Sequence, residues 1–244
     1  MKLTIGHLCP DLMNLYGDRG NIICLVRRCQ WRGIDVDVQE VSLSSNLELR
    51  TSNLLFMGGG QDRQQKIVAE DFKKGRGEEI REFIEKGGVG LFICGAYQLM
   101  GKFYRPAEGP DLEGLGVFDI ETYHFGKEKP RCIGNVVVDW QGKTLVGFEN
   151  HGGRTYLGEM VKPLGTVVRG HGNNSEDGTE GAVYKNAFGT YLHGALLPKN
   201  PHFADYLIEL ALKNKYGPGV KLDTLDDTLE WQAHNAVLRK LGLK

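Results

Sequence analysis

The sequence predicts an α/β fold built on an open, mainly parallel sheet with helices on both faces, together with an antiparallel extension. Over the first hundred residues, short apolar runs alternate with helical segments in the order β-α-β-β-α-α-β-α, which is typical of parallel sheets. Several of these runs end in glycine or other small residues, as buried parallel strands do where they enter a tight loop. Between Gly116 and Gly170, short β-like runs replace the helical segments and favour an antiparallel extension of the same domain.

The first half of the chain is predicted to contain four strands and three helices before a fourth helix begins. The strands cover 3–8, 35–41, 53–57 and 89–93, and the helices cover about 21–31, 61–73 and 78–86. Gly33 ends the first helix, and Gly87-Gly88 ends the third. The second strand alternates polar and apolar residues, whereas the third and fourth are short apolar runs and are therefore predicted to be buried.

The second half of the chain is predicted to contain short strands followed by two helices. The β-like runs cover 117–123, 133–139, 144–148 and 166–169, a loop covers 170–178, and a hairpin covers 181–185 and 188–192. A helix over about 201–215 follows, and Gly217-Pro218-Gly219 separates it from a last helix over about 223–241. We therefore predict one domain over residues 1–216 and a helical extension over residues 217–244 that packs on it.

Composition and charge limit the classes of partner. Lys plus Arg number 30 and Asp plus Glu 31, so the formal net charge of -1 gives no general attraction to nucleic acid or anionic lipid. No apolar run approaches the roughly 18 residues that a membrane helix needs. The five cysteines are scattered and form no C-x-x-C pair, which predicts reduced thiols and no zinc site. We expect a cytoplasmic protein with no nucleic-acid partner and no membrane insertion.

Cys94 is the first candidate for a chemical role. It follows the predicted strand over 89–93 and precedes Gly95-Ala96 and a helix-like segment. A nucleophile at a sharp strand-to-helix turn is held exposed, and the helix N-terminus behind it favours thiolate over thiol. The alternative is a buried structural cysteine in a core turn, and the pattern alone does not separate the two.

The glycine run Gly58-Gly59-Gly60 follows the predicted strand over 53–57. Backbone amides of Gly59 and Gly60 at this position could stabilise the oxyanion of a tetrahedral intermediate. Ligands of open α/β sheets bind at the carboxyl ends of the strands, so this loop and Cys94 are expected to share a crevice. A flexible turn and a phosphate-binding loop remain alternatives.

His193 is the candidate base, because a thiol needs a base within hydrogen-bond reach to be activated. It ends the predicted strand over 188–192, which mirrors the position of Cys94.

Gly142-Lys143-Thr144 resembles the end of a phosphate loop, but Val137 stands where that pattern requires glycine, so no ATP site is predicted. From these residues alone the sequence predicts a cysteine-dependent α/β hydrolase.

The motif around Cys94, with the segment from Gly189 to Gly194, resembles the cobyric-acid-synthase branch of class I glutamine amidotransferases, which has a flavodoxin-like fold. The chain is more similar still to GatD-type glutaminase subunits of lipid II isoglutaminyl synthases. The segment Pro10 to Asn21, the loop from Gly58 to Asp62 and the length carry this closer resemblance.

The resemblance implies that the chain hydrolyses L-glutamine and passes ammonia to a MurT-like Mur-ligase subunit. That partner would bind ATP and Mg and amidate D-glutamate of lipid II to D-isoglutamine, so that this chain carries no cofactor. An arginine holds the glutamine in such subunits, and Arg131 corresponds to it by position; a guanidinium pairs bidentately with an α-carboxylate. Gln98 and Gln61 are further candidates for contacts with the substrate.

The sequence also departs from the family pattern. Many relatives have a glutamate two residues after the histidine, where this chain has Ala195, and glycines two residues before and after the cysteine, where it has Phe92 and Ala96. A Cys-His dyad or an acid from the partner would have to complete the site. Alternatives are the amidotransferase component of a corrinoid-type amidase and a binding subunit with an inactive site.

Overall fold

The computed structural model describes residues 1–43, 45 and 47–243. Its strands, in chain order, are β1 (Lys2–Leu8), β2 (Asp35–Val41), β3 (Leu54–Met57), β4 (Val89–Ile93), β5 (Phe103–Arg105), β6 (Leu112–Glu113), β7 (Ile120–His124), β8 (Cys132–Trp140), β9 (Lys143–His151), β10 (Gly153–Leu157), β11 (Gly165–Arg169), β12 (Thr179–Glu180), β13 (Ala182–Tyr184) and β14 (Ala187–Thr190). The helices are α1 (Arg19–Gln30), α2 (Asp62–Asp71), α3 (Gly77–Glu85), α4 (Gly95–Leu99), α5 (Pro201–Tyr216) and α6 (Thr228–Lys240). Short 3-10 turns cover Leu15–Gly17, Leu49–Thr51 and Leu197–Lys199, and a π-helical turn covers Phe72–Arg76.

The central sheet has six strands in the order β13-β14-β4-β3-β1-β2. All neighbours are parallel except β13 and β14, which form the predicted antiparallel hairpin. Every residue of β3 and β4 is buried, whereas the edge strand β2 is mostly half-buried, as the apolar and alternating patterns predict. The predicted fold class, an open and mainly parallel α/β sheet, is confirmed.

The strand order places a crevice at one edge of this sheet. From β1 the chain crosses through α1 to β2 on one side, and from β3 it crosses through α2 and α3 to β4 on the other. Right-handed crossovers in opposite directions put these helices on opposite faces and make a switch point between β1 and β3. The loops that follow β1, β3 and β4 therefore meet at the carboxyl edge of the sheet.

The predicted antiparallel extension consists of two separate four-stranded sheets. One has the order β10-β7-β5-β6 with a parallel β5–β7 pair, and the other has the fully antiparallel order β12-β11-β8-β9. The prediction missed β5, β6, β10 and β12. The first two are three and two residues long, which is too short for a polar–apolar alternation to appear.

The last helix is shorter than predicted, because α6 begins at Thr228 rather than near residue 223. The Asp226 carboxylate accepts hydrogen bonds from the amide and the hydroxyl of Thr228. The Asp227 carboxylate is bound by the buried guanidinium of Arg28 in α1. Both side-chain interactions favour a non-helical segment before the helix.

The segment after α5 contacts the rest of the chain at several points. Leu238 packs against Val137 and Val146, and His234 forms a hydrogen bond of 2.8 Å with Thr144. The division into a domain and an extension remains a prediction. No helix within the described part of the chain is both long and apolar enough to cross a bilayer.

Candidate active site

Cys94 is the single residue between β4 and α4. Its backbone has φ 51° and ψ −105°, a conformation that is energetically costly for residues other than glycine. Its amide donates to the carbonyl oxygen of Thr190 at 2.8 Å and so attaches the turn to the end of β14. Cys94 is 8% exposed and stands on a strained strand-to-helix turn of the nucleophile-elbow type.

Phe92 and Ala96, the departures from the family pattern beside this turn, are both fully buried. The ring of Phe92 lies over Gly90, because a Cβ built on Gly90 would come within 2.6 Å of Cε2 of that ring. Gly90, on the same face of the strand, therefore provides the space that the ring of Phe92 occupies.

His193 lies three residues beyond the end of β14, in a short bridge to β9. Its amide donates to the Phe148 carbonyl oxygen at 2.8 Å, and its own carbonyl oxygen accepts from the Phe148 amide at 3.1 Å. The imidazole is fully buried, with Nδ1 at 3.2 Å from Oδ1 of Asp18. The backbone bridge and the Asp18 contact fix the ring orientation.

Gly59 marks the point where the three side chains converge. A Cβ built on Gly59 would lie 2.7 Å from Cε1 of His193, 3.4 Å from Oδ2 of Asp18 and 3.5 Å from Cβ of Cys94. These residues come from the loops after β1, after β4 and after β14, which the sheet brings to one edge. Cys94 and His193 thus share one crevice, and only glycine fits between them and Asp18.

The pKa of His193 is raised from 6.5 to about 10. Burial acts to lower the pKa because it disfavours the charged ring, but the negative charge of a Cys94 thiolate and the hydrogen bond to Asp18 outweigh burial. The surroundings of the imidazole therefore favour its protonated form.

Asp18 is the residue that the sequence analysis missed. It is fully buried directly before α1, and its second oxygen accepts from the Gly59 amide at 2.7 Å. An acidic side chain of this same chain therefore lies beside His193, where the sequence analysis expected a dyad or an acid from the partner. The one available signal was its place in the loop after β1, which borders the crevice only once the strand order is known.

The packing of Ala195 explains why the carboxylate beside His193 is that of Asp18 and not of a residue at position 195. The Ala195 backbone has φ 47°, and its methyl group packs against Gly20, where a Cβ would lie 2.6 Å away. A glutamate at 195 would meet the first turn of α1. The same close contact brings Asp18, two residues before Gly20, to His193.

The predicted oxyanion donors need one correction. The single amide hydrogen of Gly59 is engaged by Asp18, so Gly59 does not fit the role of oxyanion donor. Gly60 stays a candidate, since its amide nitrogen lies 2.9 Å from where a Cβ of Gly95 would stand. The Gly60 amide nitrogen therefore lies close to Gly95, the residue that follows Cys94.

A cavity of about 570 Å³ opens in front of Cys94. All three predicted substrate-binding residues, Arg131, Gln98 and Gln61, line it. Gln98 is 3% exposed; its side-chain nitrogen donates to the Tyr191 hydroxyl at 3.1 Å, and its oxygen accepts from Gln65 at 3.1 Å. Gln61 is exposed at the start of α2.

Arg131 is exposed at the rim of the cavity and is held by Asn150. Its Nε donates to the Asn150 side-chain oxygen at 3.1 Å, and Nη2 donates to the Asn150 carbonyl oxygen at 3.0 Å. These two bonds fix the plane of the guanidinium, and its other N–H donors can bind an anion. Within the described residues, no group of His, Cys, Asp and Glu could hold a metal ion.

Comparison with known families gives one match that spans most of the chain. The family model described as the CobB/CobQ-like glutamine amidotransferase domain matches residues 4–201. Two solved structures resemble the fold: a glutamine amidotransferase (TM-score 0.58, 17% identity, 85% of this chain and 98% of that one) and a glutamine amidotransferase from Thermotoga maritima (0.57, 16%, 98% and 94%). At these identities the structures support the fold alone.

Three curated proteins give the relationship more detail. The lipid II isoglutaminyl synthase (glutamine-hydrolyzing) subunit GatD of Streptococcus pneumoniae is 43% identical over 230 residues, which cover 93% of this chain and 87% of that protein. The same subunit of Staphylococcus aureus is 42% identical over 238 residues, 97% of this chain and 95% of that protein. A probable cobyric acid synthase of Methanocaldococcus jannaschii is 36% identical, over 68% of this chain and 36% of its own length.

Proposed function

The chain belongs to the CobB/CobQ-like glutamine amidotransferase family, and we propose that it hydrolyses L-glutamine with Cys94 and delivers the ammonia to a MurT-like ligase subunit. In this proposal the partner amidates D-glutamate of lipid II to D-isoglutamine. The two relatives named as GatD subunits support this acceptor over a corrinoid, because they match nearly all of the chain at higher identity than the cobyric acid synthase.

The observation that carries the proposal is the convergence of Cys94, His193 and Asp18 around Gly59. A cysteine on a strained turn, an imidazole with a raised pKa and a buried carboxylate on the far ring nitrogen form the arrangement that acyl transfer needs. A binding subunit with an inactive site would have no need of this strain or of a fully buried carboxylate.

In the first half of the proposed cycle, the Cys94 thiolate attacks the side-chain amide carbon of glutamine. The carbonyl oxygen becomes an oxyanion that the amides of Gly60 and Gly95 stabilise. The C–N bond then breaks, Nε2 of His193 donates its proton to the leaving nitrogen, and ammonia departs from a glutamyl thioester. Asp18 holds the Nδ1 proton and keeps Nε2 directed at the reacting atoms.

In the second half, His193 accepts a proton from water as the water attacks the thioester. The C–S bond breaks, glutamate leaves, and the thiolate–imidazolium pair is restored. Arg131 would hold the α-carboxylate of glutamine at the rim, and Gln98, fixed by Tyr191 and Gln65, would contact the substrate at the base of the cavity.

Ammonia must reach the acceptor without meeting bulk water, where it becomes ammonium and loses its nucleophilicity. The proposal therefore includes a partner that covers the cavity. ATP and Mg²⁺ would bind to that partner and activate the carboxylate of the acceptor. The need for ATP would place the pair in the cytoplasm.

The test is a comparison of nitrogen donors in the complex. We expect the chain to co-purify with a Mur-ligase-like protein, and this complex to amidate lipid II with either glutamine or ammonium. Cys94→Ala should abolish amidation from glutamine and leave amidation from ammonium. Retained use of glutamine, or loss with both donors, would contradict the assignment of Cys94, and a wild-type complex without glutaminase activity would contradict the function itself.

A further inference from the structure

Tyr16 has contacts that the proposed reaction does not yet use. It lies in the loop after β1, two residues before Asp18, and it lines the same cavity as Cys94. Its ring meets the ring of His193 edge to face, with centroids 4.9 Å apart and an interplanar angle of 73°. Tyr16 is 45% exposed while His193 is fully buried, so the tyrosine ring separates the imidazole from solvent.

The hydroxyl of Tyr16 connects this ring to the rim of the cavity. It accepts a hydrogen bond of 2.8 Å from the side-chain nitrogen of Asn150. The side-chain oxygen of the same Asn150 accepts from Nε of Arg131 at 3.1 Å. A continuous series of contacts therefore runs from the guanidinium at the rim, through Asn150 and Tyr16, to the imidazole beside Cys94.

The backbone of Tyr16 is strained in a way that these contacts account for. Its φ of 55° and ψ of 26° lie in the left-handed region, which is unfavourable for a tyrosine. Such a conformation persists only where surrounding interactions determine it, and it is concentrated at functional sites. The contact of the Tyr16 ring with His193 and the hydrogen bond of its hydroxyl with Asn150 hold the backbone in this conformation.

We propose that Tyr16 is a positioning residue with two separate parts: its hydroxyl helps Asn150 to orient Arg131 for the substrate, and its ring orients His193. The inference rests on the proposed glutaminase function. The Tyr16 hydroxyl fixes Asn150, Asn150 orients the Arg131 guanidinium for a carboxylate, and the Tyr16 ring keeps the imidazole facing Cys94 and shielded from water. The hydroxyl then serves substrate binding, whereas the ring serves the chemical step.

Two substitutions at Tyr16 separate these roles. Tyr16→Phe removes only the hydroxyl; we expect the KM for glutamine to rise about three- to tenfold, the value of one hydrogen bond, with kcat within about twofold of wild type. Tyr16→Ala removes the ring as well; we expect kcat to fall by about tenfold or more and the pH profile of kcat/KM to shift, because His193 becomes exposed.

Tyr216→Phe is the matched control. Tyr216 is 47% exposed, and its hydroxyl also forms hydrogen bonds, but with the backbone of Lys2 at a distance from the cavity. This variant should keep the wild-type KM, kcat and pH profile. All variants are measured as full-length chains in the complex with the ligase subunit, and their melting temperatures are recorded.

A double-mutant cycle tests whether the Tyr16 hydroxyl acts through Asn150. In an Asn150→Ala background, Tyr16→Phe should change the KM no further, because its bond partner has gone. Independent effects of the two substitutions, wild-type kinetics of Tyr16→Ala, or a kcat loss in Tyr16→Ala that follows its melting temperature with an unchanged pH profile would each overturn the inference. A wild-type complex that fails to hydrolyse glutamine would instead overturn the proposed function, so the two failures are distinct.

Discussion

Asp18 and His193 lie 175 positions apart in the chain and meet in a fully buried hydrogen bond of 3.2 Å. The aspartate directly precedes α1, and the histidine follows the last strand of the central sheet. The two residues can meet because β1 and the neighbouring parallel strands end at the same edge of the sheet. Asp18 thereby joins Cys94 and His193 as the third residue of the candidate site.

Replacing Asp18 by asparagine should remove the charge while keeping the shape. Asparagine offers Nδ1 of His193 either an oxygen or a nitrogen, so the ring loses both its fixed tautomer and the stabilisation of its charge. We expect the glutaminase kcat to fall by roughly 10²- to 10⁴-fold. Asp11→Asn, an exposed change in the same loop, is the control. A wild-type rate in Asp18→Asn would exclude Asp18 from the mechanism.

Gly59→Ala should inactivate the enzyme through steric displacement. The added methyl group would lie 2.7 Å from Cε1 of the buried His193 ring, which must then move away from Cys94. Misplacement of a catalytic group by about 1 Å can cost roughly 100-fold in rate, and steady-state kinetics would detect such a loss. Gly219→Ala, where a Cβ meets nothing within 4 Å, should behave as wild type. Full activity of Gly59→Ala would mean that the three side chains do not pack as described.

Arg131→Lys should affect substrate binding more than chemistry. Lysine keeps the positive charge but loses the planar fork that Asn150 orients and that pairs with a carboxylate. We expect the KM for glutamine to rise about ten- to hundredfold with a smaller change in kcat. Arg105→Lys, at an exposed arginine paired with Asp111, controls for the substitution type. An unchanged KM would remove Arg131 from the substrate site.

Glu180 should make the stability of the protein depend on pH. Burial raises its pKa from 4.5 to about 7, although hydrogen bonds from the Thr190 hydroxyl and the Tyr191 amide oppose the shift. The folded state therefore binds the proton more tightly than the unfolded state does. The contribution of Glu180 to stability is greatest below pH 4.5 and declines as the pH rises from there to about 7.

Glu180→Gln carries no titrating group and should lack this decline. Relative to wild type, the variant should gain stability between these pH values, by at most about 3 kcal/mol from the size of the shift. Denaturant unfolding of both proteins at pH 5 and pH 8 measures the difference. Parallel pH dependence of the two proteins would show that Glu180 is not the group responsible.

Arg28 should be essential for holding the C-terminal segment. Its guanidinium is 1% exposed and pairs with both Asp205 of α5 and Asp227 before α6. Arg28→Met leaves Asp227 without its cation and Asp205 with only Arg32, and should destabilise the fold by about 3 kcal/mol. Hydrogen exchange should increase most in α6, whereas Arg27→Met, at an exposed neighbour, should change little. Unaltered exchange in α6 would show that other contacts hold this segment.

The sequence by itself was sufficient for the fold class, for the buried strands β3 and β4 and for the turn that carries Cys94. These features depend on local patterns: continuous apolar runs mark strands buried on both faces, and small residues after a strand mark a tight turn. The sequence also predicted Cys94 and His193 as partners, and the structure places both at Gly59, although their catalytic roles remain proposals.

Only the tertiary structure decided that Asp18 is the third member, that the Gly59 amide binds this carboxylate, and that Tyr16 contacts His193. Hydrophobic periodicity reports which face of an element is buried, but it contains no information on which strands are neighbours. The order β4-β3-β1 is what brings the loops after these strands together. Residues whose partners lie in other loops, 41 or 175 positions away in the chain, could therefore be assigned only after the sheet was assembled.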